Sequence, residues 1–549
     1  MRRGIAFAAG SAALLISRCV WGVEGAPESL RGGLGVADWG VVVVYALGML
    51  GIGLYYSRRT KTSEEYYLGG RKMKPGMIGL SLFATMISTI SYLAVPGEIM
   101  KHGPVYLTSV AAIPFIYLIV GYLLVPYIMR LPITSAYEIL EIRFGKPARL
   151  LGSLIFLFIR FIWMGLVIFT AANVVAKAIG IDAVYVPWIS LMVGMVTVVY
   201  SSIGGLRAVV LTDAIQALIL FFGAVLAIVV VSVKMGGVSW FPTAWAPNWD
   251  SQPFVSFDPR VRVTMVGSVI AMIAWWVCTA GSDQMAIQRY LATRDARAAR
   301  RAFLVNNAAD ICTTITLALL GFALLGFFRA HPQYLSENLN LSENTDLLFP
   351  HFIVNFIGYG IAGLVVSGML AAAMSSLSSG ISATCTVINT DILGYFLSGR
   401  LPDERKVRIA KLTSFIIGVT VIALSLVVAN VRGNLIEMTS KTSNLLVGPL
   451  FGLFFFAMFV PFATPLGAAF GSLYGFLAAF LISFGELAGL PPLSWQWILP
   501  AAVVVNIISG TLFSLVPTRG KSRKFKIAFS VLLAVPFLAA MSVFVAAAL

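Results

Sequence analysis

A run of small and hydroxylated residues, Gly368 to Ser382, has the composition of an ion site. Its letters are GMLAAAMSSLSSGIS, with four serines within the five positions that begin at Ser375. Successive residues of an α-helix rotate by about 100°, so the small residues and hydroxyls share one narrow face. Close helix packing explains the Gly and Ala residues, but it explains the serines less well. Hydroxyl and carbonyl oxygens are the ligands that hard cations prefer, so we interpret this face as an ion site. The face consists of Gly368, Ala372, Ser375, Ser379 and Ser382, with Ser376 and Ser378 beside it.

A second segment could complete the shell of such an ion. It runs from Ser81 to Glu98, reads SLFATMISTISYLAVPGE, and is apolar but dense in Ser and Thr. Pro96 and Gly97 lie near its outer end. A helix interrupted inside the membrane exposes backbone carbonyls, which coordinate sodium in carriers with inverted repeats. The alternative is an ordinary helix whose hydroxyls bond to their own preceding turn.

Two of the charged residues within apolar runs, Asp213 and Arg160, are candidates for a functional role. Asp213, in GGLRAVVLTDAIQ, follows a short way after the start of its run. It either favours a helix N-terminus or is functional, because carboxylates inside a membrane are costly. Arg160, in LGSLIFLFIRFIWMG, either extends its side chain to the membrane surface or presents a fork to a substrate carboxylate.

Other kinds of chemistry have no support in this sequence. There is no GxxxxGK[ST] for ATP, and no GxSxG, HExxH or paired-carboxylate arrangement for catalysis. The three histidines are scattered, and the four cysteines show no metal-ligand spacing. We therefore expect no enzyme, which leaves a gradient-driven carrier or a channel.

The elements that must position these residues are membrane helices. The sequence is 59% hydrophobic and only 11% charged, whereas a soluble domain is about one-quarter charged. Stretches long enough to span predict roughly fourteen helices in an all-α fold. They lie near 37–56, 76–99, 105–129, 149–177, 184–202, 207–233, 263–281, 303–328, 350–382, 408–430, 434–460, 465–486, 493–516 and 526–548.

The net charge of +16 follows the positive-inside bias rather than a nucleic-acid surface. Its cations concentrate in alternate loops, which we place on the cytoplasmic side of an inner or plasma membrane, with the C-terminus outside. Residues 1–25 predict a signal peptide or an extra N-terminal span. The loops are RRTKTSEEYYLGGRKMK, RFGKPAR, GGLRAV, QRYLATRDARAARR, SGRLPDERKVRIAK and TRGKSRK.

Five segments in order resemble the sodium:solute symporter family, over nearly the whole chain after residue 36. They are SEEYYLGGRKM, SLFATMIS, YSSIGGLRAVVLTDAIQ, DQMAIQRYLATRD and AAAMSSLSSGIS. The segment after Ser81 is similar to the monocarboxylate and iodide branch of the family. The resemblance implies a LeuT-type fold of two inverted five-helix repeats, about 76–233 and 263–460. It makes 37–56 a leading helix and 465–548 three trailing helices, all peripheral.

The resemblance also implies where ions and solute bind. A first sodium would take Ala84 and Ile87, through their carbonyls, with Ala372, Ser375 and Ser376. A second sodium, which some members hold, would take Asp213, Ser375, Ser378 and Ser379. The solute would lie among Ser91, Tyr92, Arg160, Trp163, Trp276, Thr279 and Asn444.

These expectations define a sodium-coupled secondary active symporter that imports a small organic solute by alternating access. Arg160 suits a carboxylate, as in a monocarboxylate or a sialic acid, whose carriers use an arginine on this helix. Ser91 stands where glucose-type and iodide-type members have glutamine, which argues against both of those solutes. Alternatives are a sugar, polyol or amino acid carrier, a proton-coupled carrier, or a transporter-like sensor. We expect a monomer in the lipid bilayer, with no nucleic-acid partner.

Overall fold

The structure, a computed structural model, describes residues 33–178, 181–335, 339–341, 344–394, 401–427, 435–516, 518 and 520–548. For residues 178, 183, 435–440, 442 and 545–548 it describes the backbone alone. The expected signal peptide or extra span at 1–25 lies outside the described residues. Within them the regular structure is helical, with no β-strand, as expected for an all-α membrane protein.

The main helices are labelled in chain order. They are α1 Val36–Ser57, α2 Ser63–Leu68, α3 Pro75–Met86, α4 Thr89–His102, α5 Pro104–Met129, α6 Glu138–Phe144, α7 Lys146–Ala178, α8 Val186–Lys234, α9 Met265–Ser282, α10 Gln284–Leu291, α11 Ala296–Ala330, α12 Leu348–Phe356, α13 Ile361–Val387, α14 Asp403–Val427, α15 Leu435–Phe459, α16 Pro465–Phe484, α17 Ile498–Ser514 and α18 Arg523–Ala548. A π-helical turn, Ile388–Leu393, continues α13.

The number of membrane crossings agrees with the fourteen expected. Among the described residues, eleven helices are long and apolar enough to cross a membrane, or twelve if α3 and α4 form one bent span. The 49 residues of α8 are too long for one crossing, which needs about 20 residues. Gly205 divides α8, since its φ of 65° and ψ of −171° are not helical. Counting α8 as two spans and adding the apolar part of α15, Ser443–Phe459, brings twelve to fourteen.

The bend in α8 needs a glycine because another helix occupies the space. A Cβ at Gly205 would lie 3.0 Å from the ring of Tyr66, and the positive φ is strained for other residues. Tyr66 belongs to the short α2, and its hydroxyl donates to the Ser202 carbonyl over 2.7 Å. The motifs SEEYYL and SSIGGLRAV therefore meet at this turn.

The helix α13 forms the centre of the bundle. Of its most apolar window 89% is buried, against 22% for α1 and 11% for α18. It packs against α8, α7, α1 and α3. The helix with the serine face is therefore surrounded by protein, while α18 shows most of its surface to the membrane.

The structure adds contacts that the sequence did not indicate. The leading helix α1 contacts the central helix, because the buried carboxylate of Asp38 accepts hydrogen bonds from Gly360 and Gly363 at the start of α13. The segment QRYLATRD was expected to begin a loop. Its first four residues instead end the helix α10, and every residue of α10 is buried. A break at Asp283, which is extended with ψ of 123°, separates α10 from α9 and keeps α10 inside the bundle.

Candidate ion and solute sites

The first site is built on the break between α3 and α4. Ile87 and Ser88 are extended, with ψ of 132° and 171°, and the two helices meet at an angle of 67°. Residues near such a break have carbonyls that no helical turn satisfies. The break lies inside the predicted span, as expected, whereas Pro96 lies within α4.

The serines of α13 face these carbonyls. Ser375 Oγ donates to the Ala84 carbonyl over 2.8 Å, and Ser376 Oγ donates to the Ile87 carbonyl over 2.9 Å. The Ala372 carbonyl lies 3.3 Å from Ser375 Oγ. The structure thus brings together all five residues predicted for the first sodium. Three carbonyls and two hydroxyls suit a hard monovalent cation, because they supply oxygen without adding charge.

A second oxygen cluster surrounds Asp213 on α8. Its Oδ1 accepts a hydrogen bond from Ser378 over 3.2 Å, and its Oδ2 accepts one from Ser379 over 2.9 Å. Ser378 Oγ also lies 3.1 Å from the Ser375 carbonyl. The predicted second set therefore lies together, one helical turn from the first set on α13.

Two further residues of this cluster were missed in the sequence. Ser81 donates to Asp213 Oδ2 over 2.7 Å. Arg289, on the buried α10, donates to Asp213 Oδ2 over 3.2 Å and also contacts Ser379. Neither side chain of the Arg289–Asp213 pair is exposed. The only signal for Arg289 was a cation within the motif DQMAIQRYLATRD, which gives no hint of its partner.

The Asp213 cluster fits a second sodium on one side only. Arg289 occupies the side of Oδ2, so a cation would use Asp213 Oδ1, Ser378 Oγ and the Ser375 carbonyl. Ser378 Oγ already lies within hydrogen-bonding distance of both Asp213 Oδ1 and the Ser375 carbonyl.

A cavity of about 280 Å³ lies beside the first site. Residues of the α3–α4 break, including Ile87, line it, so one segment serves both the ion site and the cavity. Its size suits a small solute, since pockets for drug-sized molecules begin at about 300 Å³. The predicted solute residues that line it are Ser91, Arg160, Trp163, Trp276, Thr279 and Asn444.

Tyr92 is the predicted solute residue that the structure does not bring to this cavity. It is fully buried, its hydroxyl donates to the Leu220 carbonyl over 3.1 Å, and its ring packs against Phe349. The Tyr92 side chain therefore points toward Leu220 and Phe349, whereas the neighbouring Ser91 lines the cavity.

Arg160 lies in the cavity and does not extend to a membrane surface, since it is 8% exposed. One guanidinium nitrogen pairs with Asp283 at the break between α9 and α10, and the group stands 4.9 Å over the Trp163 ring. The Asp283 carboxylate also accepts the N–H of Met285 over 2.8 Å and so caps α10. The Arg160 Nε is buried without a hydrogen-bond partner among the described residues.

The cavity also has lining residues that the sequence did not indicate. They are Asp283, Asp310 on α11, and Trp495 and Gln496 just before α17. Trp495 and Gln496 belong to the trailing region, which was expected to be peripheral. The region beyond the second repeat therefore contributes to the wall of the solute cavity.

Two carboxylates form ion pairs with arginines of other segments. Asp391, in the π-helical turn after α13, accepts Arg149 Nε over 2.9 Å and Ser135 Oγ over 2.6 Å. Glu98, toward the C-terminal end of α4, accepts two hydrogen bonds from Arg262, over 2.7 and 2.9 Å. Each pair joins elements of different helices and would have to rearrange if those helices separated.

A bundle with a broken helix, whose carbonyls at the break face a serine-rich partner helix, defines the class of ion-coupled secondary transporters. The sequence model of the sodium:solute symporter family matches residues 66–475. The chain belongs to this family, and it is a multi-pass membrane protein that couples sodium to the movement of a solute.

Characterised relatives cover most of the chain. The sodium/sialic acid symporter of Proteus mirabilis is 29% identical over 439 residues, which are 76% of this chain and 84% of the relative. The sodium-dependent multivitamin transporter of Oryctolagus cuniculus is 29% identical and covers 91% of this chain and 79% of its own. The human sodium-coupled monocarboxylate transporter 2 is 28% identical and covers 84% and 75%.

A solved structure supports the same assignment. The substrate-bound, outward-open state of a Na⁺-coupled sialic acid symporter is similar with a TM-score of 0.76 and 26% identity. It covers 88% of this chain and 98% of the solved chain. The LeuT-type fold expected from the sequence is thereby confirmed.

Proposed function

We propose that this symporter carries a small carboxylate-bearing solute, with Arg160 as the residue that binds the carboxylate. We further propose that it works as a monomer in an inner or plasma membrane, with its C-terminus outside. The loop charges support this orientation, because the arginine- and lysine-rich loops then all face the cytoplasm.

The observation that carries the proposal is the free Nε of Arg160. Arginine offers its donors in a planar fork, and a carboxylate accepts two of them at once. One terminal nitrogen of the Arg160 guanidinium pairs with Asp283. The Arg160 Nε is buried in the cavity wall and has no hydrogen-bond partner among the described residues. A buried donor without a partner costs about 1–3 kcal/mol, which a solute carboxylate would recover on binding.

The solutes of two relatives support the proposal that this chain carries a carboxylate-bearing solute. Two of the proteins named above carry sialic acid and monocarboxylates, and both kinds of solute bear a carboxylate group. The guanidinium of Arg160 also lies over the ring of Trp163 in the cavity wall, and this contact restricts the orientation of the guanidinium plane.

Coupling follows from the residues shared by ion and solute. Sodium would join Ala84 and Ile87, in the first repeat, to Ser375 and Ser376, in the second. Ile87 also lines the cavity, so sodium that fixes this break also fixes a wall of the solute site. The effect is reciprocal, because a solute that stabilises the same wall raises the sodium affinity equally. One sodium crossing 100 mV supplies about 2.3 kcal/mol.

The sodium stoichiometry depends on Asp213. We propose that Asp213, Ser378 and the Ser375 carbonyl bind a second sodium, and we expect a sodium Hill coefficient near two for uptake. Asp213→Ala should lower it to near one, because the second site loses its charge. The coefficient is measured from uptake at varied sodium in proteoliposomes. A value near two that persists in Asp213→Ala would exclude Asp213 as a sodium ligand.

The carboxylate itself is tested by comparing a solute with its amide. In proteoliposomes under a sodium gradient, the wild type should favour a carboxylate over the matching amide by about tenfold or more. Arg160→Gln should remove this preference, because glutamine retains hydrogen bonding without the charge. The first solute comes from a thermal-shift screen of sugars, carboxylates and amino acids, with and without sodium.

Controls separate the role of Arg160 from a general loss of charge. Arg130→Gln, which removes an exposed cation at the end of α5, should keep the wild-type preference. Equal transport of acid and amide by the wild type would refute the carboxylate proposal and favour a sugar or polyol. Uptake driven by a pH gradient in sodium-free buffer would indicate proton coupling instead.

A further inference from the structure

We propose that Asp310 binds an ammonium group of the solute, so that the transported molecule is a zwitterion with its carboxylate on Arg160. This inference rests on the proposed function for the carboxylate half of the solute only. The ammonium half has its own residue and its own test.

Asp310 lines the solute cavity from a membrane helix. It belongs to α11, Ala296–Ala330, and lies within the apolar stretch 303–328 of this helix. Thr314 and Leu317, four and seven positions further on, line the same cavity, so one face of α11 forms this wall. An ionisable residue in such a span is expensive and is by default functional.

No cation of the described residues balances this carboxylate. No lysine, arginine or histidine in that part of the chain forms an ion pair with Asp310, and Trp276 lines the same cavity. The other cavity carboxylate, Asp283, already has Arg160. Asp310 is therefore a cavity carboxyl group without a cation among the described residues, and a cationic group of the solute would pair with its ionised form.

The surroundings of Asp310 suit an ammonium. Trp275, Trp276, Trp495 and Tyr106 line the same cavity. The faces of aromatic rings attract cations, and the attraction grows when water is excluded. A carboxylate within a set of aromatic rings is the combination that recognises amines and quaternary ammonium groups.

Charge balance extends this argument to the whole solute. A simple monocarboxylate on Arg160 would bring a further net negative charge into a confined space inside the membrane, since Arg160 is already paired with Asp283. A zwitterion with its carboxylate at Arg160 and its ammonium at Asp310 adds no net charge to the cavity. The expected class is therefore amino acids or similar aminocarboxylates, in preference to plain carboxylates.

The test compares four ligands, which differ in whether they have the ammonium group and in whether they have a carboxylate or an amide. An amino acid, its desamino carboxylate, its carboxamide and the desamino amide are compared by thermal shift and uptake, using the purified full-length protein. The amino acids are a panel of α- and ω-amino acids. In the wild type the ammonium should raise affinity by about tenfold or more, both in the acid pair and in the amide pair.

Asp310→Asn should remove the ammonium effect and leave the carboxylate effect. Arg160→Gln should do the reverse, which separates a failure of this inference from a failure of the proposed function. Asp310→Glu should keep a preference for the ammonium, because the charge remains. Asp258→Asn, which removes an exposed acid of the loop before α9, should behave as the wild type.

Three results would overturn the role of Asp310. One is a wild type that binds desamino ligands as tightly as their amines. The second is an Asp310→Asn protein that still takes up the desamino carboxylate and retains the ammonium preference. The third is an Asp310→Asn protein with an unchanged ammonium preference but a lower sodium Hill coefficient, which would make Asp310 an ion ligand.

Discussion

Sodium-driven uptake should fall by about 100-fold or more when Ser375 and Ser376 are both replaced by alanine. The two hydroxyls are two of the five oxygens in the first site, and both contact carbonyls at the α3–α4 break. Without them sodium cannot join the two repeats, so the gradient no longer biases their arrangement. The measurement is the initial rate of uptake into proteoliposomes at a clamped membrane potential, with and without a sodium gradient.

A matched serine on the same helix provides the control. Ser367 is also buried in α13, but its hydroxyl donates to the Gly363 carbonyl of its own turn over 2.8 Å. Ser367→Ala should transport within about twofold of wild type, since a local bond of this kind contributes only about 1 kcal/mol. Solute binding in thermal shift checks that the double variant is folded. Sodium-driven uptake at the wild-type rate in the double variant would remove the first sodium site from the proposal.

The second large effect concerns stability, at the pair formed by Arg289 and Asp213. Arg289→Gln should destabilise the protein by about 3–5 kcal/mol, because it leaves the Asp213 carboxylate buried without its cation. Asp213→Asn should destabilise it by a similar amount, because the guanidinium then loses its partner. The measurement is the midpoint of thermal unfolding in detergent, in a buffer without sodium.

Removing both charges should be less damaging than removing one. The double variant Asp213→Asn with Arg289→Gln leaves no unpaired charge, so we expect it to recover at least half of the lost stability. Glu65→Gln with Arg207→Gln, an ion pair of 3.7 Å at the surface of α2, should be close to additive. If the Asp213 and Arg289 losses simply add, the two residues are not coupled and Arg289 has another role.

The parts of this molecule that were predictable from its sequence depend on local patterns. Apolar length set the fourteen spans, and the 100° rotation of a helix placed Ala372, Ser375 and Ser379 on one face. The break in the first core helix was expected from the density of Ser and Thr after Ser81. Each of these signals lies within about twenty neighbouring residues.

The parts that were missed depend on pairs far apart in the chain. Arg160 and Asp283 are 123 positions apart, and Arg289 and Asp213 are 76 apart. An isolated charged residue in an apolar run indicates a function, but the local sequence does not identify the residue that pairs with it. Asp310 was overlooked for this reason, since nothing near it in sequence marks the cavity that it lines.

Tyr92 was misplaced for a different physical reason. Nearly every residue of α4 is buried, so the helix shows no polar face that would fix its rotation. The sequence therefore offered Ser91 and Tyr92 equally, and only packing against Leu220 and Phe349 decided between them. A helix enclosed on all sides does not reveal in its sequence which face meets a ligand.

The contact between Asp38 and the start of α13 has a consequence for biosynthesis. The ribosome makes Gly360 and Gly363, which donate 2.7 and 2.8 Å hydrogen bonds to Asp38, more than three hundred residues after it. At roughly 5–20 residues per second, α1 would wait on the order of 15–65 s for these partners. This early helix thus completes the buried hydrogen bonds of Asp38 only after the ribosome has made the start of the central helix α13.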